Sequence, residues 1–190
     1  MTGNTIQDLP ALFSDDDEAD ARPDLSDDQL AIELGVAGFD TDALYVRLWG
    51  KWLFWNDSLW VEDETNACMT FTRKFLRAKA EQLIVRAQEL LDQAEAASDK
   101  KKAEDAMKWA GRNAKRLRSA QTVAAVLKLA TSNSTSAAKP EQFDAEPFLL
   151  ATPSGTVDLH TGELQTSFRE HYATKMTEVG PADVQSKPKL

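Results

Sequence analysis

The side chains best suited to covalent or metal chemistry are few: one cysteine, two histidines and a run of three aspartates. Asp15-Asp16-Asp17 has the composition of a two-metal phosphoryl-transfer centre, but that chemistry needs carboxylates held rigidly a short distance apart. The run lies in a stretch with no apolar period, so a nuclease or nucleotidyltransferase reading has no carboxylate constellation behind it. His160 falls in an expected turn and His171 beside Tyr172, and neither has a Ser or Cys set out as a triad. Cys68, near an expected helix start, could carry a lowered thiol pKa there, although a lone cysteine in that place is more often a small core residue. No Gly-x-x-x-x-Gly-Lys-Ser/Thr loop, Cys-x-x-Cys pair or His-Glu-x-x-His stretch occurs. The expectation is therefore no catalytic residue, no metal site and no bound cofactor in this chain.

Binding chemistry is better represented. Lys108, Arg112, Lys115 and Arg116 recur at helical spacing, with Arg118 close behind and the run Lys100-Lys101-Lys102 ahead. Such a strip can face DNA phosphates. A solvated helix face balanced by Glu81, Glu89, Glu95 and Glu104 explains the same residues equally well. Trp49, Trp52, Trp55 and Trp60 crowd one short stretch. Exposed, they would stack on single-stranded bases; buried, they are core, and their density favours core.

These residues sit on elements that the pattern predicts. The stretch 45–63 has aromatic and β-branched residues on both sides of Asn56-Asp57-Ser58, which predicts a β-hairpin. Ahead of it, Ser26 and Gln29 match a capping box for a short helix that Gly35 stops, with Leu30, Ile32 and Leu34 as its apolar positions. From 66 to 131 the spacing of Phe71, Phe75, Leu76, Leu83, Ile84, Leu90 and Leu91 predicts an amphipathic helix. A second helix capped by Ser98 and Asp99 follows, running through Met107 and Trp109 to Leu117. A third is capped by Ser119, with Val123, Val126, Leu127 and Leu129 on its buried side. Thr131 to Pro140 reads as a linker. Over 146–178, turns at Pro153-Ser154-Gly155 and His160-Thr161-Gly162 predict short antiparallel strands. The fold class is α+β.

The net charge of −9 argues against a surface that coats nucleic acid all over. It is segregated, because Asp8, Asp15 to Asp17, Glu18, Asp20, Asp24, Asp27 and Asp28 crowd the start with Arg22 alone opposing them. Residues 1–25 read as a disordered acidic tail, with an apolar patch of Leu9, Leu12 and Phe13 able to dock on a partner. Residues 181–190 read as a tail or as the start of a further domain. No segment approaches ~18 consecutive apolar residues and no signal peptide is visible, so no membrane association is expected. One cysteine rules out an internal disulfide, and a cytoplasmic setting fits best.

Three blocks of this sequence resemble a known family. Residues 50–63, GKWLFWNDSLWVED, with Trp52, Trp55, Trp60 and Asp63, resemble the W-x-x-W-turn-W-x-x-D block opening the linker module of phage and plasmid primase-helicases. These are relatives of the poxvirus primase-helicase. Residues 143–164 are similar to its second signature through Pro153, Gly155, Asp158, Leu159, Thr161 and Gly162, with Ser154 where the family usually has Asn. Residues 169–175, with Tyr172 and Lys175, are similar to the segment that follows. Three ordered blocks around a helical spacer are more specific than any one of them.

The resemblance implies a module over 26–180 that joins a primase to an ATP-dependent helicase motor in the replication of a phage or plasmid. ATP and Mg are expected only for that motor, which in the family follows such a module, as a primase domain often precedes it. The chain carries neither, as an excised piece or fragmentary gene would. The implied partners are DNA, the primase and helicase domains or subunits of the same system, and copies forming a ring, in a bacterial or phage-infected cell. The alternative is a stand-alone adaptor in which the acidic tail and the helical hairpin recruit another replication protein.

Overall fold

The computed structural model describes residues 22–181, so the acidic run at 15–17, the Leu9-Leu12-Phe13 patch and residues 182–190 lie outside the described part. The chain divides into two compact units, and the sequence of one interrupts the other. The helical unit takes the chain up to Thr41 and then Asn66–Ser136, whereas the β unit takes Asp42–Thr65 and the chain from Ala137 onward.

The helical unit begins with α1 (Asp27–Leu34), where the Ser26 side chain accepts the Gln29 amide at 3.2 Å. Asp27 and Asp28 lie in its first turn, where the helix dipole favours negative charge. Gln29 does not close the box; its side chain donates to Glu33 at 3.1 Å instead. Gly35 caps α1, and a widened turn through Phe39, with Gly38 at φ 96°, leads to the single turn α2 (Asp40–Asp42). Leu30 and Leu34 are buried, but Ile32 points to solvent, since residues two apart cannot share one helix face.

A helical hairpin follows, formed by α3 (Ala67–Gln93) and α4 (Ala97–Leu117). Phe75, Leu76, Ala80, Leu83 and Ala87 of α3 are buried, as are Ala103, Ala110, Ala114 and Leu117 of α4. The three alanines make one flank of α4 small enough for close packing. The cap of α4 differs from expectation: its N-cap is Ala96 with no side-chain bond, and Ser98 lies in the first turn beside Asp99. Ser119 does cap α5 (Ala120–Ala130), accepting the Thr122 amide at 3.2 Å. Val123 and Val126 are buried as expected, while Leu129 is partly exposed and Ala130 takes the inner position. Cys68 is buried in the first turn of α3.

Lys79 of α3 is only 2% exposed and pairs with Glu33 of α1. The pair ties α3 to α1 across the interior of the helical unit. Lys79→Met is expected to cost about 3 kcal/mol, because the part-buried Glu33 loses its cation and keeps only the bond from Gln29. Lys79→Met with Glu33→Leu should return close to native stability in urea unfolding. A double variant as unstable as the single would rule this account out.

The β unit holds two sheets. The first has order β3-β2-β1-β4, from β1 (Ala43–Val46), β2 (Lys51–Trp55), β3 (Trp60–Glu62) and β4 (Ala137–Ala138). The expected hairpin is present: β2 and β3 are antiparallel, and Asn56 Oδ1 accepts the amides of Ser58 and Leu59 at 3.1 and 2.8 Å. Asp57 takes the left-handed conformation that this turn requires, one that Asp tolerates. Two strands depart from expectation. β1 extends the hairpin into a meander, and β4, within the expected linker, pairs parallel with Tyr45 and Val46 of β1. The second sheet is the meander β5 (Leu149–Thr152), β6 (Gly155–Asp158) and β7 (Leu164–Gln165), with turns where the sequence places them. Among the described residues no helix is long and apolar enough to cross a membrane.

Candidate functional site

The tryptophans of the β unit have divergent fates, set by strand parity for Trp52, Trp55 and Trp60 and by a turn position for Trp49. Leu44, Val46, Leu53, Trp60, Ala138 and Phe143 form the core, with Trp55 and Tyr172 packed on it. Trp60 is 3% exposed, and its indole Nε1 donates to the Arg169 carbonyl at 2.9 Å. Its ring lies 5.7 Å from that of Trp55, its cross-strand partner. Trp52 projects from the opposite face, half-buried against Tyr45 at 5.1 Å. The preference for core thus holds for Trp60, in part for Trp52 and Trp55, and not for Trp49, which is 43% exposed.

The remaining family residues shape turns and ties. Asp63 closes β3, its amide donating to the Trp52 carbonyl at 2.9 Å and its carboxylate accepting the Thr65 amide at 3.3 Å. Pro153 and Ser154 make the β5–β6 turn, and Gly155 follows at φ 135°. Asp158 accepts the His160 amide at 2.8 Å, and Thr161 Oγ1 accepts the Glu163 amide at 3.2 Å. Gly162, at φ 75°, donates to the Asp158 carbonyl at 2.7 Å. Leu159 is exposed. Tyr172 lies edge-on to Phe143 at 5.6 Å in the left-handed region. His160 stacks on Phe148 and His171 lies against Phe168. Among the described residues, no three His, Cys, Asp or Glu side chains gather as a metal site.

Sequence reasoning passed over two anchors in this unit. Arg169 bonds Asp42 at 2.5 Å and lies 5.9 Å over the Trp55 ring, joining positions far apart in the chain. Asp144 accepts the Thr174 amide at 2.8 Å and hydroxyl at 2.6 Å, with Lys175 Nζ at 3.6 Å. Partial burial pushes the Asp144 carboxyl up, but the bonds from Thr174 and the Lys175 charge outweigh it, leaving its pKa below the ordinary carboxylate value. A depressed folded pKa gives stability that is full above the unfolded pKa of ~3.9 and lost as pH falls below it. Asp144→Asn should therefore flatten the acid limb of the stability curve between about pH 5 and pH 2. An unchanged limb in acid titration followed by circular dichroism would contradict this.

The cations of α4 are sorted by the fold. Ala103, Ala110, Ala114 and Leu117 face inward, and Lys108, Arg112 and Lys115 lie on the opposite, exposed side. Lys101, which stands seven residues before Lys108, extends the same stripe; the heptad spacing 101, 108 and 115 was the available signal. Lys108 lies 3.4 Å from Asp105 on the surface. Arg116 belongs elsewhere: its guanidinium bonds Asp27 at 2.9 Å and the Leu25 carbonyl, tying α4 to the start of α1. Arg118, the C-cap residue, lies 3.9 Å from Glu81 of α3.

Fold and side-chain roles together describe an α+β module, with an inserted helical unit and a β unit built on Trp-rich strands and tight turns. The chain belongs to the family described as D5 N terminal like, which matches residues 37–190 and is found in phage, plasmid and viral primase-helicase proteins. That membership makes it part of a replication protein of the primase-helicase type. No curated protein matches the chain.

Proposed function

We propose that this module links the primase to the ATP-driven helicase motor of a phage or plasmid replication protein and contacts DNA through the outer face of α4. The motor, with its ATP and Mg, lies in another part of that protein, and the linker spans 26–180. The observation that carries the reading is the stripe Lys101, Lys108, Arg112 and Lys115, about 21 Å long at 1.5 Å per residue. Its cations stand away from the packed alanine flank and suit the spacing of backbone phosphates. Arg116 is bonded to Asp27 and the Leu25 carbonyl, so a smaller share of the DNA contact is expected from it than from the outward cations.

Single-stranded DNA binding, read by fluorescence anisotropy at about 50 and 200 mM salt, tests this. Joint Lys108→Glu, Arg112→Glu and Lys115→Glu substitution is expected to weaken binding and to flatten the salt slope by ~0.7 per lost contact. An unchanged affinity and slope would overturn the DNA contact.

One observation favours a second reading, the stand-alone adaptor. Leu150, Val157 and Leu164 are register neighbours on one face of the second sheet, and Phe148 and Leu159 share that face by parity. All but Val157 are exposed, as in a protein-binding patch.

A further inference from the structure

We propose that the groove beside the β1–β2 turn is a stacking site for an unpaired base of single-stranded DNA, with the Trp49 indole as its platform. The proposal rests on the DNA reading above only for the identity of the polymer; its residues are different ones.

Trp49 lies in the four-residue connection between β1 and β2, which is pinned from within. The amides of Trp49 and Gly50 both donate to the Val46 carbonyl, at 3.1 and 2.9 Å. Gly50 turns the chain at φ 67°. One side of the indole rests on Phe143, ring centroids 5.2 Å apart, and Phe143 belongs to the buried core. A large exposed aromatic is thus held in one orientation with its remaining surface toward solvent, so little conformational entropy is lost when something stacks on it.

Beside it opens a groove of about 600 Å³, whose other walls are Leu53, Trp60 and Val61, with Lys51, Glu62 and Thr174 at the rim. The volume falls within the ~300–1,000 Å³ of small-ligand clefts. Arg47 is exposed in the same turn, whereas Lys51 is paired with Glu62 at 2.7 Å and Lys175, next to Thr174, lies 3.6 Å from Asp144. An exposed aromatic face with an exposed arginine in the same turn can take an unstacked base and its phosphate. A duplex hides its base faces, so the site selects single strands. Leu48, 79% exposed beside Trp49, adds an apolar contact for the next base.

The test compares binding of labelled oligo-dT, the same oligomer with abasic sugars in place of the bases, and a duplex of equal length. The native chain should prefer oligo-dT to the abasic strand. Trp49→Ala should weaken oligo-dT binding by about tenfold and abolish that preference, leaving duplex binding and the salt slope unchanged. Trp49→Phe should fall between them. Because Trp49 is an exposed turn residue, an unchanged melting curve confirms that Trp49→Ala folds. Full oligo-dT affinity in Trp49→Ala overturns the proposal, as does an equal loss on duplex; a change of oligomeric state with DNA affinity intact would reassign the turn to protein contact. If the α4 variants weaken binding and Trp49→Ala does not, only this site falls. If the native chain binds none of the three, both readings fall.

Discussion

Gly155→Ala is expected to lower the unfolding free energy by about 3 kcal/mol, through backbone strain and a backbone clash that no rotamer change relieves. At φ 135° an L side chain is strained wherever it points. A Cβ built there would also lie 2.4 Å from the Gln165 carbonyl oxygen, on the neighbouring strand β7. That oxygen cannot move without shifting β7. Gly162 supplies the control, because it too has positive φ, at 75°, but a Cβ there meets nothing within 4 Å. Gly162→Ala should cost only about 1 kcal/mol. Urea unfolding of both variants separates conformational strain from close approach, and equal losses would refute the close-approach account.

The second large effect centres on Trp60, where a buried ring, a cross-strand aromatic partner and a long-range hydrogen bond coincide. Trp60→Ala should cost about 4 kcal/mol, in the range for emptying a large aromatic site. Trp60→Phe keeps most of the ring and loses the Nε1 bond to the Arg169 carbonyl, so about 2 kcal/mol is expected. The difference between the variants measures packing against hydrogen bonding. Should Trp60→Phe prove as damaging as Trp60→Ala, the bond and not the ring would be the dominant contribution. Trp60→Ala should also expose the segment around Ala173, whose carbonyl accepts the Trp60 amide at 2.9 Å, and hydrogen exchange would show it.

How far the sequence foretold this depends on whether a feature is local. The Asn56-Asp57-Ser58 turn and the Ser119 cap are written within four residues, and both form as read. The helical spacer is legible because its apolar period persists over many turns. β4 was illegible for the opposite reason. Ala137 and Ala138 have no strand propensity, and they are extended because Tyr45 and Val46, remote in sequence, offer a free edge. The candidate contacts divide in the same way. Periodicity puts cations on α4, but it cannot show that Asp27 captures Arg116 and leaves Lys108, Arg112 and Lys115 outward. Nor can residue type separate Trp60 from Trp49. Trp60 lies on the inner face of β3 and Trp49 in the turn between β1 and β2, and composition is blind to that difference.

The interrupted path of the β unit also sets an order of events during synthesis. β1, β2 and β3 are complete once Glu62 has been made, yet the strand that seals the edge of β1 comes only with Ala137. At ~5–20 residues per second the intervening helices take roughly 4–15 seconds to emerge, far longer than a hairpin needs to form. Throughout that interval the nascent meander presents Tyr45 and Val46 as an unpaired edge, which another chain could pair with. The helices, rich in local contacts, can fold during this wait, and slow decoding ahead of Ala137 would lengthen the vulnerable period.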